Sequence, residues 1–490
     1  MKSPGSFPTQ TRMARNAAVS SILLFVLLTP LAYMHGQQGK PVLPNLAGFP
    51  DPGGVVRTFD QNGDLDLTGP FFQSLGTNGR SCATCHQPSD AMTVSAAHVQ
   101  GRFDASQGLD PIFRTNDGSN CDHDINVSTL EGRSAAYSLL RTRGLIRVAL
   151  AVPDGADYLI TGVSNPYRCS EAGIISIYRR PLPGANLKFL TTVMWDGRES
   201  SLQTGTTPID SASYPGSLLT DLAHQATDAT LGHAQALNAP TAAQLQSIVA
   251  VETGLFSAQA EANGAGNLGS GGAGGGPQAV SQQPFFVGIN DPVGLDPTNP
   301  VPFTFNTKIF NLFDEWEKTG SPQHRAIARG QALFNTRTFT ITGVAGLNGA
   351  TFPNRVTAPN TIVSTCGICH DSPNAGNHSV SAPLNIGVAD PPHGANILDT
   401  SYLPLITICQ RSGPACVTTT DPGRALISGK FSDVGKFKGP VLRGLAARAP
   451  YFHNGSAQSL LDVVNFYDSR FSIGFTAQEK ADLVAFLSSL

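Results

Sequence analysis

Apolar residues recur at helical spacing in several stretches of the chain. In 241–259, Leu245, Ile248, Val249, Leu255 and Phe256 share one side, with Glu252 as the polar interruption, and predict a single helix. In 324–339 a stripe of Ile327, Leu333 and Phe334 predicts another. Near the end, Ser459 with Asp462 and Thr476 with Glu479 have the spacing of helix-start capping boxes, each ahead of an apolar run. Leu483, Phe486, Leu487 and Leu490 then form one side of a tail helix. Strand-type alternation is weak and scattered, so the pattern predicts a mostly α fold.

Composition adds loops to this picture. Of 490 residues only 14% are charged, while Gly (51) and Pro (35) are plentiful, which describes a loop-rich globular protein. A net charge near −3 gives no basis for binding nucleic acid or an anionic membrane surface. Lys2, Arg12 and Arg15 precede an apolar run over 17–33, broken by Thr29-Pro30; residues 1–36 resemble a secretory signal more than an uncleaved anchor. Export to the periplasm follows, with an oxidising surrounding and no stable membrane span once the signal is removed. Residues 37–69 read as an irregular arm, 70–261 as a first unit, 262–320 as a Gly/Pro-rich linker and 321–490 as a second unit.

The eight cysteines supply the chemistry. Four lie in two CxxCH motifs, Cys82-Cys85-His86 and Cys366-Cys369-His370. A four-cysteine zinc site is the competing reading. A histidine directly after each pair, and 284 residues between the pairs, favour covalent haem c instead. Thiols three apart on a helical turn face one way and reach one edge of a flat macrocycle. The next imidazole then lies below the iron, which makes His86 and His370 the proximal ligands of two haems. The fold expected is therefore two cytochrome c-like haem domains with long loops and a Gly-rich connecting segment. Cys409 and Cys416 bracket a short loop that a disulfide would close, leaving Cys121 and Cys169 to pair by elimination. The methionines are Met1, Met13, Met34, Met92 and Met194, so no Met follows His370 to ligate the second iron.

Further motifs give a resemblance. WDGRESSL (195–202), ARGQALF (328–334) and APYFHNG (449–455) occur with the two CxxCH motifs in the order of the bacterial dihaem cytochrome c peroxidase/MauG family. The chain resembles that family over most of its length after residue 70. The resemblance implies two covalently bound haem c groups, the first reacting with hydrogen peroxide or oxygen, the second storing or relaying electrons. It places Trp195 between them. It also implies a small redox protein or an organic substrate as electron source, and in many members a calcium ion. The second haem's distal ligand falls 17 residues after Pro450, at Tyr467; peroxidases have Met there and MauG-type proteins Tyr. His453 is the main rival for that position.

Departures from the family pattern matter as much. The Gln and the catalytic Glu expected about ten and twenty residues after Trp195 are replaced by Gly205 and Pro215, and Asp210 is the one acid in 203–215. His224 and His233 are the candidates for acid–base work or iron ligation at the first haem, with His98 and His123 behind them. Arg448 stands where the family places a calcium-binding Thr, which does not favour calcium. The reading is an exported dihaem oxidoreductase. A dihaem electron carrier without catalysis, and a dihaem oxygenase, are the alternatives.

Overall fold

Ser459 and Thr476 each cap a helix in the computed structural model of the chain, which describes residues 41–121, 125–169, 173–199, 214–292, 305–351, 357–392 and 396–490. Both capping boxes close reciprocally. Among the described residues there are ten α-helices: α1 (Ala96–Ser106), α2 (Leu130–Ala136), α3 (Ser138–Arg143), α4 (Gly216–Gly232), α5 (Ala242–Gly254), α6 (Pro277–Ser281), α7 (Pro322–Thr336), α8 (Ala425–Ser428), α9 (Leu460–Phe471) and α10 (Ala477–Ser488). None is long and apolar enough to cross a membrane.

The mostly-α expectation is corrected. The chain is 31% helical and 19% strand, and its strands form several small sheets. The helix expected over 241–259 shows why. It stops at Gly254, the backbone turns extended at Leu255, and Leu255–Ala262 becomes a strand. That strand pairs antiparallel with Gly54–Asp60, which in turn pairs with Gly48–Asp51. Leu255 and Phe256 mimic helical spacing only because both are buried; tertiary pairing decides their conformation. Ile174–Arg179 is hidden by the opposite effect: nearly every residue is buried, so no alternation marks it as a strand.

Several contacts lock the two motif-bearing halves together. Tyr158–Ser164 from the first half pairs with Leu405–Gln410 from the second, which pairs with Cys416–Thr419. At the C-terminus, the Leu490 carbonyl accepts from the Gln259 and Gly444 amides. The Gly-rich stretch after Ala262 is packed: Leu268 is fully buried in a cluster with Phe310, Phe313, Trp316, Phe334 and Phe486. Each such aromatic contributes about 1.5–3 kcal/mol by burial. In the same region α7 and α10 touch closely at Gly330, where a Cβ would lie 2.0 Å from the Asp482 carbonyl oxygen, so only glycine fits. Val42–Leu490 thus form one compact unit. Disulfides Cys121–Cys169 and Cys409–Cys416 are as the spacing predicts.

Candidate functional site

Each CxxCH motif folds into the same short turn. Residues Cys82–Thr84 and Cys366–Ile368 form one 3-10 turn each, and the histidine amide donates to the first cysteine's carbonyl (His86 3.0 Å, His370 3.2 Å). The four cysteines are free thiols, whereas the other four are disulfide-bonded. Cys82 and Cys85 line one cavity and Cys366 and Cys369 another, so a shared four-thiolate metal site does not form.

The two cavities, with their mouths, hold about 1700 and about 1800 Å³ of empty space. His86 lines the first and His370 the second. Nδ1 of His86 bonds the Met92 carbonyl (2.9 Å) and Nδ1 of His370 the Gly376 carbonyl (2.6 Å). Such bonds fix the ring and its tautomer and leave Nε2 as the ligand atom. Burial lowers both imidazole pKa values, that of His370 to about 4, so each ring is neutral and carries the lone pair an iron needs.

Buried cations test the fit independently. Arg443 lines the first cavity, Arg448 the second, and Arg180 and Lys438 both. None has a carboxylate partner among the described residues. Arg443 Nε and Nη1 and Arg448 Nε have no hydrogen-bond partner among the described residues. Burial pushes Lys438 down to about 8, Arg443 to about 9 and Arg448 to about 10. Desolvated cations without anions are costly. The propionate carboxylates of a haem are the guests that would satisfy them, so these cavities fit the group the motifs imply.

Trp195 lines both cavities and forms part of their common wall with Arg180, Lys438 and Pro440. Its Nε1 donates to the Arg180 carbonyl (2.8 Å), and its own carbonyl accepts from the Lys438 amide. The WDGR turn is pinned by charge. Asp196, fully buried, pairs with Arg179 and Arg198, and Arg179 also grips Asp421 at 2.6 Å. Burial pushes the Asp196 carboxyl up, yet the two guanidinium groups outweigh it and hold it far below its usual range. Gly197 takes φ +67°, a conformation that suits glycine.

The first cavity has a polar wall made by α4. His233, at its C-terminal cap, points Nδ1 at both Asp117 carboxylate oxygens (3.0 Å). Asp117 also pairs with the buried Arg80. Three donors, from Asn78, Arg80 and Asn116, meet the His233 carbonyl and satisfy the helix end. The Asp117 charge raises the His233 pKa; burial pushes the Asp117 carboxyl up, but His233 and Arg80 prevail and lower it. Two turns earlier on α4, Gln225 lines the same cavity, as does Arg198. His224 does not line it: its Nδ1 bonds Glu199 at 2.6 Å. His98, itself exposed, pairs with the buried Asp90.

Gln225 and Asp117 are the residues that sequence reasoning missed. A Gln eight residues before His233 approximates the family's Gln-to-acid interval, and that spacing was the signal available. Counting from Trp195 fails because the stretch through 200–213 intervenes. That stretch, with Gly205 and Asp210, and also His123 and residues 1–36, lies outside the described residues. Glu252 is a further surprise: it lines the first cavity with Oε2 unpartnered, and burial raises its pKa to about 8.

The second cavity is more apolar than the first, although Arg180, Lys438, Arg448 and the Asp371-paired His378 also line it. Tyr467, on α9, lines it, and its hydroxyl has no hydrogen-bond partner among the described residues. Burial raises its pKa strongly. His453 also lines this cavity, but its ring stacks on Phe437 at 3.8 Å and abuts Trp195. The Arg448 carbonyl accepts from Arg180 at 2.9 Å. A buried guanidinium there does not favour a calcium ion, which would have to use the backbone carbonyl.

Paired free thiols, neutral imidazoles with free Nε2 and anion-seeking cations define a c-type haem protein. Comparison with known proteins agrees. The chain is 31% identical over 199 residues to a cytochrome-c peroxidase (IdrP1) of Denitromonas iodatirespirans, covering 36% of this chain and 44% of that one. It is 34% identical over 137 residues to IdrP2 of the same organism (26% and 35%). It is 41% identical over 81 residues to IdrP1 of Pseudomonas sp. strain SCT (14% and 21%). The chain thus matches less than half the length of these curated relatives. No family profile matches. A solved MauG-like protein associated with microbial copper homeostasis aligns at 24% identity and a TM-score of 0.22, over 38% of this chain and 52% of that one. Over the matched stretches the chain is thus similar to bacterial cytochrome-c peroxidases, in agreement with its motifs.

Proposed function

We propose that this chain is an exported, periplasmic dihaem oxidoreductase. It reduces hydrogen peroxide, or uses peroxide or oxygen, at a haem held by Cys82, Cys85 and His86. Electrons come from a small redox protein or an organic substrate through a second haem held by Cys366, Cys369 and His370. The observation that carries this reading is the asymmetry of the cavities. The first has a half-exposed, Asp117-oriented imidazole and an amide on its wall; the second is more apolar, keeps its own Asp371-paired imidazole, His378, buried, and offers the hydroxyl of Tyr467.

Haem iron, when bound, supplies the electron exchange and polarises the peroxide oxygen. The chain's own groups manage protons. His233 Nε2 takes the proton from incoming peroxide and returns it to the departing oxygen, which leaves as water. Asp117 holds the ring's other nitrogen and balances the charge on the imidazolium. Gln225 and Arg198 favour negative charge developing on the same side. In this reading His233 replaces the family's glutamate, Tyr467 takes the sixth position in the second cavity, and Trp195 is the aromatic bridge between the two.

The test is steady-state peroxide consumption with a reduced donor. His233→Gln should lower kcat by about 10²–10⁴-fold with haem content unchanged. An unchanged kcat would sink the assignment. One observation favours a second reading, a non-catalytic electron carrier: His233 lines the same cavity as His86, as an opposing iron ligand would. In that case the wild type itself would consume no peroxide.

A further inference from the structure

We infer that Glu199, His224 and Asp228 form a binding site for a divalent transition-metal cation of the zinc class, outside both haem cavities. Their ligand atoms all lie within 4.8 Å of one another. His224 and Asp228 are four residues apart on α4 and share a face. Glu199 comes from the segment directly after WDGR and is buried. Its backbone is fixed: the Thr192 hydroxyl donates to its carbonyl at 3.1 Å, and it bridges Val193. His224 Nδ1 already meets Glu199 Oε2 at 2.6 Å. Two atoms bound to one zinc ion at about 2.0–2.1 Å are at most about 4.2 Å apart. Small side-chain rotations, chiefly of the exposed Asp228, therefore close the site, and that exposure gives the cation a way in.

A second observation points the same way. Asp221, one turn before His224 on α4, is fully buried, and neither carboxylate oxygen has a partner among the described residues. The charged groups that act on it are Glu199 and His224. Native proteins seldom bury a carboxylate without donor or counter-ion. Three carboxylates gather here around one imidazole. The nearest guanidinium, Arg198, is committed to Asp196 at 3.0 Å. A dication would offset the excess negative charge, including that of Asp221 from just outside the ligand set.

The donors select the class of ion. Calcium and magnesium take all-oxygen sites. An imidazole nitrogen with carboxylate oxygens suits zinc and its neighbours. Position gives the site a consequence: the ion would tie the end of the WDGR turn to α4, which carries Gln225 and His233 toward the first cavity.

Isothermal titration calorimetry of zinc chloride into the haem-loaded, chelator-treated full chain tests this, with calcium chloride as the parallel titrant. One zinc ion per chain should bind and calcium should not. His224→Gln and Asp228→Asn should each weaken zinc binding tenfold or more, while His98→Gln, at a distant pair, should leave it unchanged. Zinc should raise the Tm of the wild type but not that of Asp228→Asn. Unaltered haem absorbance certifies that the variants are folded. Absence of zinc binding, wild-type affinity in both ligand variants, or equally tight calcium binding would each overturn the site and leave Glu199–His224 as a plain ion pair.

Discussion

Replacing Asp117 by Asn keeps an acceptor beside His233 and removes its charge. Both carboxylate oxygens lie 3.0 Å from Nδ1. Unit charges about 4 Å apart interact by about 4 kcal/mol at an effective dielectric of 20. The His233 side chain is 43% exposed toward the cavity, so solvent screening reduces this to about 1–2 kcal/mol. His233 must be neutral to accept a proton, so activity rises as pH passes upward through its pKa. Because Asp117 raises that pKa, Asp117→Asn should move the acidic limb of the kcat/KM profile toward lower pH. The variant also leaves buried Arg80 without its carboxylate, at a cost of about 3–5 kcal/mol, so the profile belongs well below the variant's Tm. An unmoved acidic limb in a folded Asp117→Asn protein would refute the role of the pair.

Tyr467→Phe should change the low-spin haem absorbance and leave peroxide access to the first cavity intact; an identical spectrum would clear Tyr467 of ligation. Glu252→Gln should stabilise the fold increasingly as pH rises. The Glu252 pKa is raised to about 8, so its contribution is fully present below about pH 4 and is lost as pH climbs toward 8. Unfolding free energies of variant and wild type from urea titration should therefore coincide near pH 4 and differ by several kcal/mol near pH 8; parallel curves would refute the burial argument. Removing Cys121–Cys169, which closes 48 residues, should cost about 4 kcal/mol, against about 2.5 kcal/mol for the seven-residue Cys409–Cys416 link. The reverse order in denaturant titration would contradict a loop-entropy origin.

What the sequence revealed was whatever depends on short-range order. CxxCH fixes a turn, a thiol pair and an imidazole within five residues, and both copies fold as that local chemistry requires. Ser459 and Thr476 open helices for equally local reasons. The strands escaped notice because their partners are remote: Gly54–Asp60 meets Leu255–Ala262, and Tyr158–Ser164 meets Leu405–Gln410. The polar wall of the first cavity was half legible. His233 was a candidate in the sequence, but Asp117, 116 residues earlier, becomes its partner only through the fold. Gln225 escaped because it lies 30 residues after Trp195, not the ten that the family count expects. The orphaned cations Arg443 and Arg448 were invisible, since a sequence shows a charge but not the lack of its counter-ion.

Electron paramagnetic resonance of the ferric, fully loaded chain is the most direct test that the two cavities differ in their sixth positions. One high-spin and one low-spin haem, with the high-spin signal changing when peroxide is added, is the expected result. Two low-spin signals indifferent to peroxide would contradict it.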